Sequence, residues 1–358
     1  MTPPDGDEPA PGPDPALVPE PDPTPQNLPA LPESPRAPGV PEDLERLRTG
    51  GWRGRGVSLG LVVVVAVFLG VALVRNWQAV RSDLQTLSWV DLLASGIAGA
   101  MAVTCSGMGW RVVLAGLGAR VPVHPALTIF FAGQLGKYVP GSVWTAAIQA
   151  DLGRRRSIAG STMLVSYVVA LMIAVATGGL VGLLVLLGAG APHAMALWTL
   201  LLAAIVGAAL LWPGGMNRGL AWVFARAGRT PPPVELPGRS LAASVAWLIA
   251  CWGFFGLHAW LLARPLGAGA SDLAPTVGAF ALAFVAGLLV VPLPAGAGVR
   301  EGVLVATLAG SIGAPAALTV SLVSRVVLLG VDLVMAALFG VGGAARAVRS
   351  RGERRATD

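Results

Sequence analysis

The sequence predicts an all-α polytopic membrane protein, with about six full transmembrane helices, two re-entrant helical hairpins and an inverted-repeat architecture. Three observations predict it. Of its 358 residues 54% are hydrophobic and only 12% charged, and uncharged runs recur near the ~20 residues needed to cross a ~30 Å hydrocarbon core. The mean hydropathy is +0.70. Shifting the numbering by 154 lays Phe130, Ala132, Gly133, Leu135 and Pro140 onto Phe284, Ala286, Gly287, Leu289 and Pro294, an internal repeat. The arginines, finally, gather at the ends of the apolar runs, where orientation in a bilayer accounts for them.

Residues 1–45 hold ten of the nineteen acidic residues, one arginine and fifteen prolines. A chain of that composition cannot bury enough apolar surface to order itself, so residues 1–50 are expected to form a disordered, acidic, proline-rich cytoplasmic tail. Its start has no basic segment leading into an apolar one, so it does not resemble a signal peptide. Residues 51–345 are expected to form the membrane domain, and 346–358 a short basic cytoplasmic tail. Past residue 45 the chain carries 24 basic residues against nine acidic ones. Such a balance suits anionic lipid at the ends of spans, and nucleic acid is not expected as a partner.

The first span is expected over 57–74, preceded by Arg46, Arg48, Arg53 and Arg55, which puts the N-terminus in the cytoplasm. Further spans are read at 92–117, 160–187, 194–212, 241–263 and 315–341. Arg120, Arg154, Arg155 and Arg156, then Arg218, Arg226, Arg229 and Arg239, then Arg346 to Arg355 all face inward provided that two polar segments enter and leave on one side. The first, 125–149, would dip in from the cytoplasm and the second, 273–312, from outside, as an inverted repeat requires. The stretch 273–291 is itself long enough to cross, and the chain would have eight spans if both hairpins did. Both termini stay in the cytoplasm of a plasma-membrane protein on either count.

The first polar segment reads Gly133-Gln-Leu-Gly-Lys-Tyr-Val-Pro-Gly-Ser-Val-Trp144. Pro140 removes a helix donor and Gly141 frees the backbone, so the chain should break near Val139 and restart with Ser142 as N-cap of a short helix ending near Asp151. A helix start at membrane depth offers unpaired N–H groups and positive dipole to an anion. Lys137 is the sole lysine beside 24 arginines, and a compact ammonium suits phosphate as a point charge; the plain alternative is a lysine snorkelling to the interface. Tyr138 and Trp144 fit either a cavity lining or an aromatic belt. Gln134 and Gln149 fit either a cavity or the pairing of broken backbone.

In the second segment, Pro292-Leu-Pro-Ala-Gly-Ala-Gly-Val-Arg-Glu301, two prolines and two glycines forbid a regular helix, and Arg300 and Glu301 open the next helical piece. Adjacent charges at that depth, each costing about 2.5–3.5 kcal/mol at a bilayer centre, need partners or a wet cavity. Arg325 lies ten residues past Pro315, about 15 Å along a helix, with Asp332 a heptad further on the same face. A buried network of Arg300, Glu301, Arg325 and Asp332 is therefore expected, serving either a substrate or only the locking of helices. If Glu301 or Asp332 were desolvated enough to titrate near neutrality, it would also permit proton coupling.

Elsewhere the residues point to packing. Cys105 and Cys251 sit in apolar runs without neighbours at metal spacing, Arg111 is expected to snorkel, and His258 reads as a packed polar residue. No Ser-His-Asp order, HExxH, GxSxG, P-loop or strand-borne GxGxxG occurs, so neither catalytic residues, a cofactor nor a metal is expected.

The two polar motifs, in this order, resemble the membrane region of the lysylphosphatidylglycerol synthase family, the flippase-like integral membrane proteins, over residues 57–345. The resemblance implies an α-helical domain with re-entrant hairpins that moves lipids or lipid-linked groups between leaflets, and Lys137, Pro140, Gly141, Arg300 and Glu301 are the matched positions. The sequence departs from that pattern at Ala295 and Ala297, where glycine is expected. Full synthases continue into a cytosolic aminoacyl-transferring domain; this sequence ends at Asp358, so lysine transfer is not expected.

Together these readings give an expected lipid translocator for an anionic phospholipid or a polyprenyl-phosphate-linked lipid. Gln134, Lys137, Tyr138, Pro140, Gly141, Ser142, Trp144, Arg300, Glu301, Arg325 and Asp332 form its expected substrate site. Lys137, the Ser142 helix start, Arg300 and Arg325 would hold the phosphate while Glu301 and Asp332 balance that charge. The alternative is a non-catalytic membrane partner of a separate lipid-modifying synthase or glycosyltransferase, docked through the proline-rich tail and small-residue helix faces. A membrane-embedded transferase is a third reading, for which the sequence offers no nucleophile or metal set.

Overall fold

The structure, a computed structural model, describes Val74 and residues 77–138, 144–188, 212–226, 236–289 and 298–357. These residues are helical apart from turns and short connections, and no strand occurs among them. In chain order the helices are α1 (Trp77–Thr86), α2 (Trp89–Gly116), α3 (Val123–Gln134), α4 (Trp144–Arg154), α5 (Gly160–Gly188), α6 (Pro213–Arg226), α7 (Gly238–Ala263), α8 (Leu273–Leu289), α9 (Val299–Ile312) and α10 (Ala314–Thr357).

Five segments among the described residues have the length and apolarity of membrane spans: Trp89–Gly116, Gly160–Leu184, Gly238–Leu266, Ala270–Leu288 and Ala314–Gly340. Four of them fall on expected spans. The fifth, which includes α8, is the stretch that the sequence left open between a full crossing and half of a hairpin. The expected spans over 57–74 and 194–212 lie outside the described residues save for their last positions, Val74 and Trp212, both exposed. By contrast α3 and α4, with 12 and 11 residues, reach only about 18 and 16 Å at helical rise, too short to cross.

Local chemistry sets the boundaries. Ser88 caps α2: its Oγ accepts from the Asp91 N–H at 3.2 Å, and the Asp91 carboxylate accepts from the Ser88 N–H at 3.1 Å, a capping box that satisfies two orphan donors. The helix closes at Gly118, whose φ of +91° suits glycine.

At the centre, α7 packs on α2, α5, α8 and α10. Apolar burial drives little association between helices in lipid, so close approach and polar bonds must supply it. Gly256 provides the approach: a Cβ there would overlap Val277, backbone included, so only glycine lets α7 and α8 meet. The indole N–H groups of Trp110 and Trp252 donate to Ser166 Oγ and Thr177 Oγ1, each at 3.0 Å, stapling α2 and α7 to α5. Among α2, α7 and α10, His258 is fully buried, with Nδ1 at 2.7 Å from Ser95 Oγ and Nε2 at 2.8 Å from Ser324 Oγ. Cys105 and Cys251 are buried and form no disulfide.

Large apolar side chains cover the outside. Along α10, Val326, Leu333, Val334 and Leu338 are 70%, 52%, 56% and 63% exposed. Such a face is an aggregation hazard in water and ordinary in hydrocarbon.

Candidate functional site

The site forms where α3 and the tight turn after it meet α10. Phe131 packs on Phe339 with ring centroids 4.9 Å apart, and Thr128 Oγ1 donates to the Phe339 carbonyl at 3.3 Å. From there the two helices run antiparallel, so seven residues on from Phe131 reach Tyr138 while seven back from Phe339 reach Asp332. This register brings Tyr138 and Lys137 onto one carboxylate.

Asp332 Oδ2 takes the Lys137 ammonium at 2.6 Å and the Tyr138 hydroxyl at 2.5 Å. Lys137 also donates to Gln134 Oε1 at 3.2 Å. The Asp332 residue is 1% exposed, and its other oxygen, Oδ1, is buried without a hydrogen-bond partner. Gln149 Oε1 is likewise buried and unpartnered, its side chain packed over Gly133, where a Cβ would come within 2.6 Å of Gln149 Cγ. Neutral and charged oxygens left bare inside protein are rare and costly.

The second motif contributes through α9. Gly298 caps it with φ +83°, and its N–H donates to Glu301 Oε2. That leaves Oε1 for Arg325 on α10, at 2.8 Å from Nη1. Arg300, one residue earlier, turns about 100° away around the helix. Its guanidinium stacks instead over the rings of Phe280 and Phe284 of α8, 4.5 and 5.4 Å from their centroids, a cation–π arrangement. No carboxylate among the described residues comes within ion-pair distance of it.

Within the expected network the ion pairs are Glu301 with Arg325, and Asp332 with Lys137, which the expectation had not included. Lys137 is not an isolated ammonium but half of an ion pair, and Arg300 is the cation of this cluster that forms no ion pair among the described residues. The electrostatic influence of Arg300 and Arg325 nevertheless reaches Lys137, Tyr138 and one another, so the pairs form one charged cluster. On α10 it occupies mid-span: Arg325 is eleven residues in from Ala314 and Asp332 eight short of Gly340, about 17 and 12 Å from those ends.

Trp144, 42% exposed, opens α4, which runs three residues past Asp151 to Arg154. Asp151 there accepts from Arg155 and Arg154, and these bonds hold its exposed carboxyl below the usual range. Pro140, Gly141 and Ser142, with the expected N-cap, lie outside the described residues, as do Pro292 and Pro294. Arg111, expected to snorkel, donates from Nε to the Val121 carbonyl at 2.9 Å. Phe280 went unread in the sequence, Phe284 was read only as part of the repeat and Gly298 only as a helix breaker, although two aromatics four residues apart, one helix before an intramembrane arginine, are the signal that would have linked Phe280 and Phe284 to Arg300.

Residues 57–336 match the family model described as Lysylphosphatidylglycerol synthase TM region. The chain belongs to this family. With its apolar helices, membership makes it a multi-pass integral membrane protein. No curated protein matches the chain. In this member of the lysylphosphatidylglycerol synthase TM family the resemblance-matched Lys137 and Glu301 each hold an ion pair to a single helix, α10, while matched Arg300 holds none.

Proposed function

We propose that this family member is a plasma-membrane translocator that carries a lipid with an anionic headgroup between leaflets, with no catalytic chemistry of its own. The observation that carries the reading is the charged cluster at the middle of α10, where carboxylates 1% and 4% exposed are held by groups from both polar motifs. Charges at that depth are functional by default, and here they are accompanied by bare oxygens and by an arginine that forms no ion pair among the described residues.

In this reading the segments around 125–149 and 273–312 are inverted re-entrant hairpins, both termini are cytoplasmic, and the headgroup passes between the hairpins while its tails stay in hydrocarbon. Arg300 and Lys137 attract the phosphate, and Asp332 and Glu301 keep the empty site from carrying three bare cations. Purified protein in liposomes with fluorescent phospholipids tests it. Lys137→Ala and Glu301→Gln are each expected to slow leaflet exchange about tenfold or more, as loss of one charged contact does; equal rates in all three proteins reject the mechanism.

A further inference from the structure

The charges of the cluster can be counted. Lys137, Arg300 and Arg325 are cationic, Glu301 and Asp332 anionic, and Tyr138 neutral as a donor, which leaves one positive charge over. The segments 139–143 and 290–297, which adjoin the cluster in sequence, hold no ionisable residue, so they do not alter the sum. The surplus sits on Arg300, the cation that stacks on rings instead of meeting a carboxylate. Asp332, which exerts an electrostatic influence on Arg300, keeps Oδ1 as a buried acceptor with no hydrogen-bond partner.

Resting on the translocator reading, we infer that the site is matched to a headgroup with one negative charge, a phosphodiester, that also carries a hydrogen-bond donor. One such anion against Arg300 brings the cluster to neutrality, and an uncompensated charge at this depth is what the bilayer resists most. The planar guanidinium is suited to two phosphate oxygens at once. A hydroxyl on the alcohol side of the diester would satisfy Asp332 Oδ1. A phosphomonoester dianion would overshoot to a net negative site, and a zwitterion, whose own cation already balances its phosphate, would leave the cluster's surplus positive charge in place.

The test compares leaflet exchange of three fluorescent probes in proteoliposomes at mildly alkaline pH: phosphatidylglycerol, phosphatidate as the dianion, and phosphatidylcholine. The unmodified protein is expected to move phosphatidylglycerol about tenfold or more faster than the other two. Asp332→Asn raises the cluster by one charge and is expected to shift the preference toward phosphatidate. Arg300→Gln lowers it by one and is expected to erase the advantage of phosphatidylglycerol over phosphatidylcholine, whereas Arg300→Lys keeps the ranking. Should Asp332→Asn not yield folded protein, the Arg300 pair decides alone. Exchange of all three probes at similar rates, or a ranking unmoved by Arg300→Gln, overturns the charge match but leaves the translocator standing. Exchange of none overturns both.

Discussion

Glu301 and Arg325 show what a single residue does at this depth. Glu301 is 4% exposed and spends one oxygen on the cap of α9 and the other on Arg325. Removing one partner of a buried pair strands the other, which costs far more than removing both. Arg325→Ala is therefore expected to lower thermal stability in detergent more than the double variant with Glu301→Gln, with a coupling of about 1–3 kcal/mol across the cycle. Equal melting temperatures for single and double variants would deny the pair. Lys137 stood out in the sequence because it is the lone lysine, and Arg300 and Glu301 because charges beside two prolines are conspicuous. Of their partners, Arg325 was expected beside Glu301, but Asp332 was not expected to meet Lys137. Asp332 lies 195 residues beyond Lys137, and nothing local in either segment encodes which oxygen meets which ammonium. The split between Arg300 and Glu301 was accessible in principle, since neighbours on a helix diverge by about 100°, but the direction of α8 and its phenylalanines was needed to say where Arg300 turns.

Helices in lipid are held by fit, and α7 against α8 is the clearest instance. Gly256→Ala would drive its Cβ into Val277, and because the obstacle includes backbone the two helices must separate, at about 1–3 kcal/mol. Gly253, one turn away on the same helix, meets nothing within 4 Å, so Gly253→Ala is expected to be neutral or to stabilise by up to about 1 kcal/mol through helix propensity. Melting of the two variants in one detergent checks the contrast. Long spans such as α2, α5, α7 and α10 were legible because hydropathy integrates over many residues. The short pieces were legible at one end only: proline and glycine marked where α3 should stop and α9 begin, whereas α4 ran on to Arg154 because Arg154 and Arg155 pair with Asp151 and extend the helix beyond the expected end.

For the whole molecule, the proposed topology has an even number of crossings whether or not the hairpins span. Single cysteines at Thr49 and Ser350, in a background lacking Cys105 and Cys251, are then expected both to react with a membrane-impermeant thiol reagent only from the cytoplasmic side. Labelling from opposite sides would require an odd count and remove the inverted repeat. Each half of the chain supplies a broken, charged segment, and α10 receives both.

That last arrangement has a mechanical corollary. Arg325 and Asp332 stand seven residues apart, two turns of one continuous rod, and each grips a different motif. Twisting or tilting the rod strains both grips together, so neither motif can be released while the other stays undisturbed. On the proposed translocator reading, a molecule wired in this way would switch which leaflet its site faces in one concerted stroke instead of two independent ones.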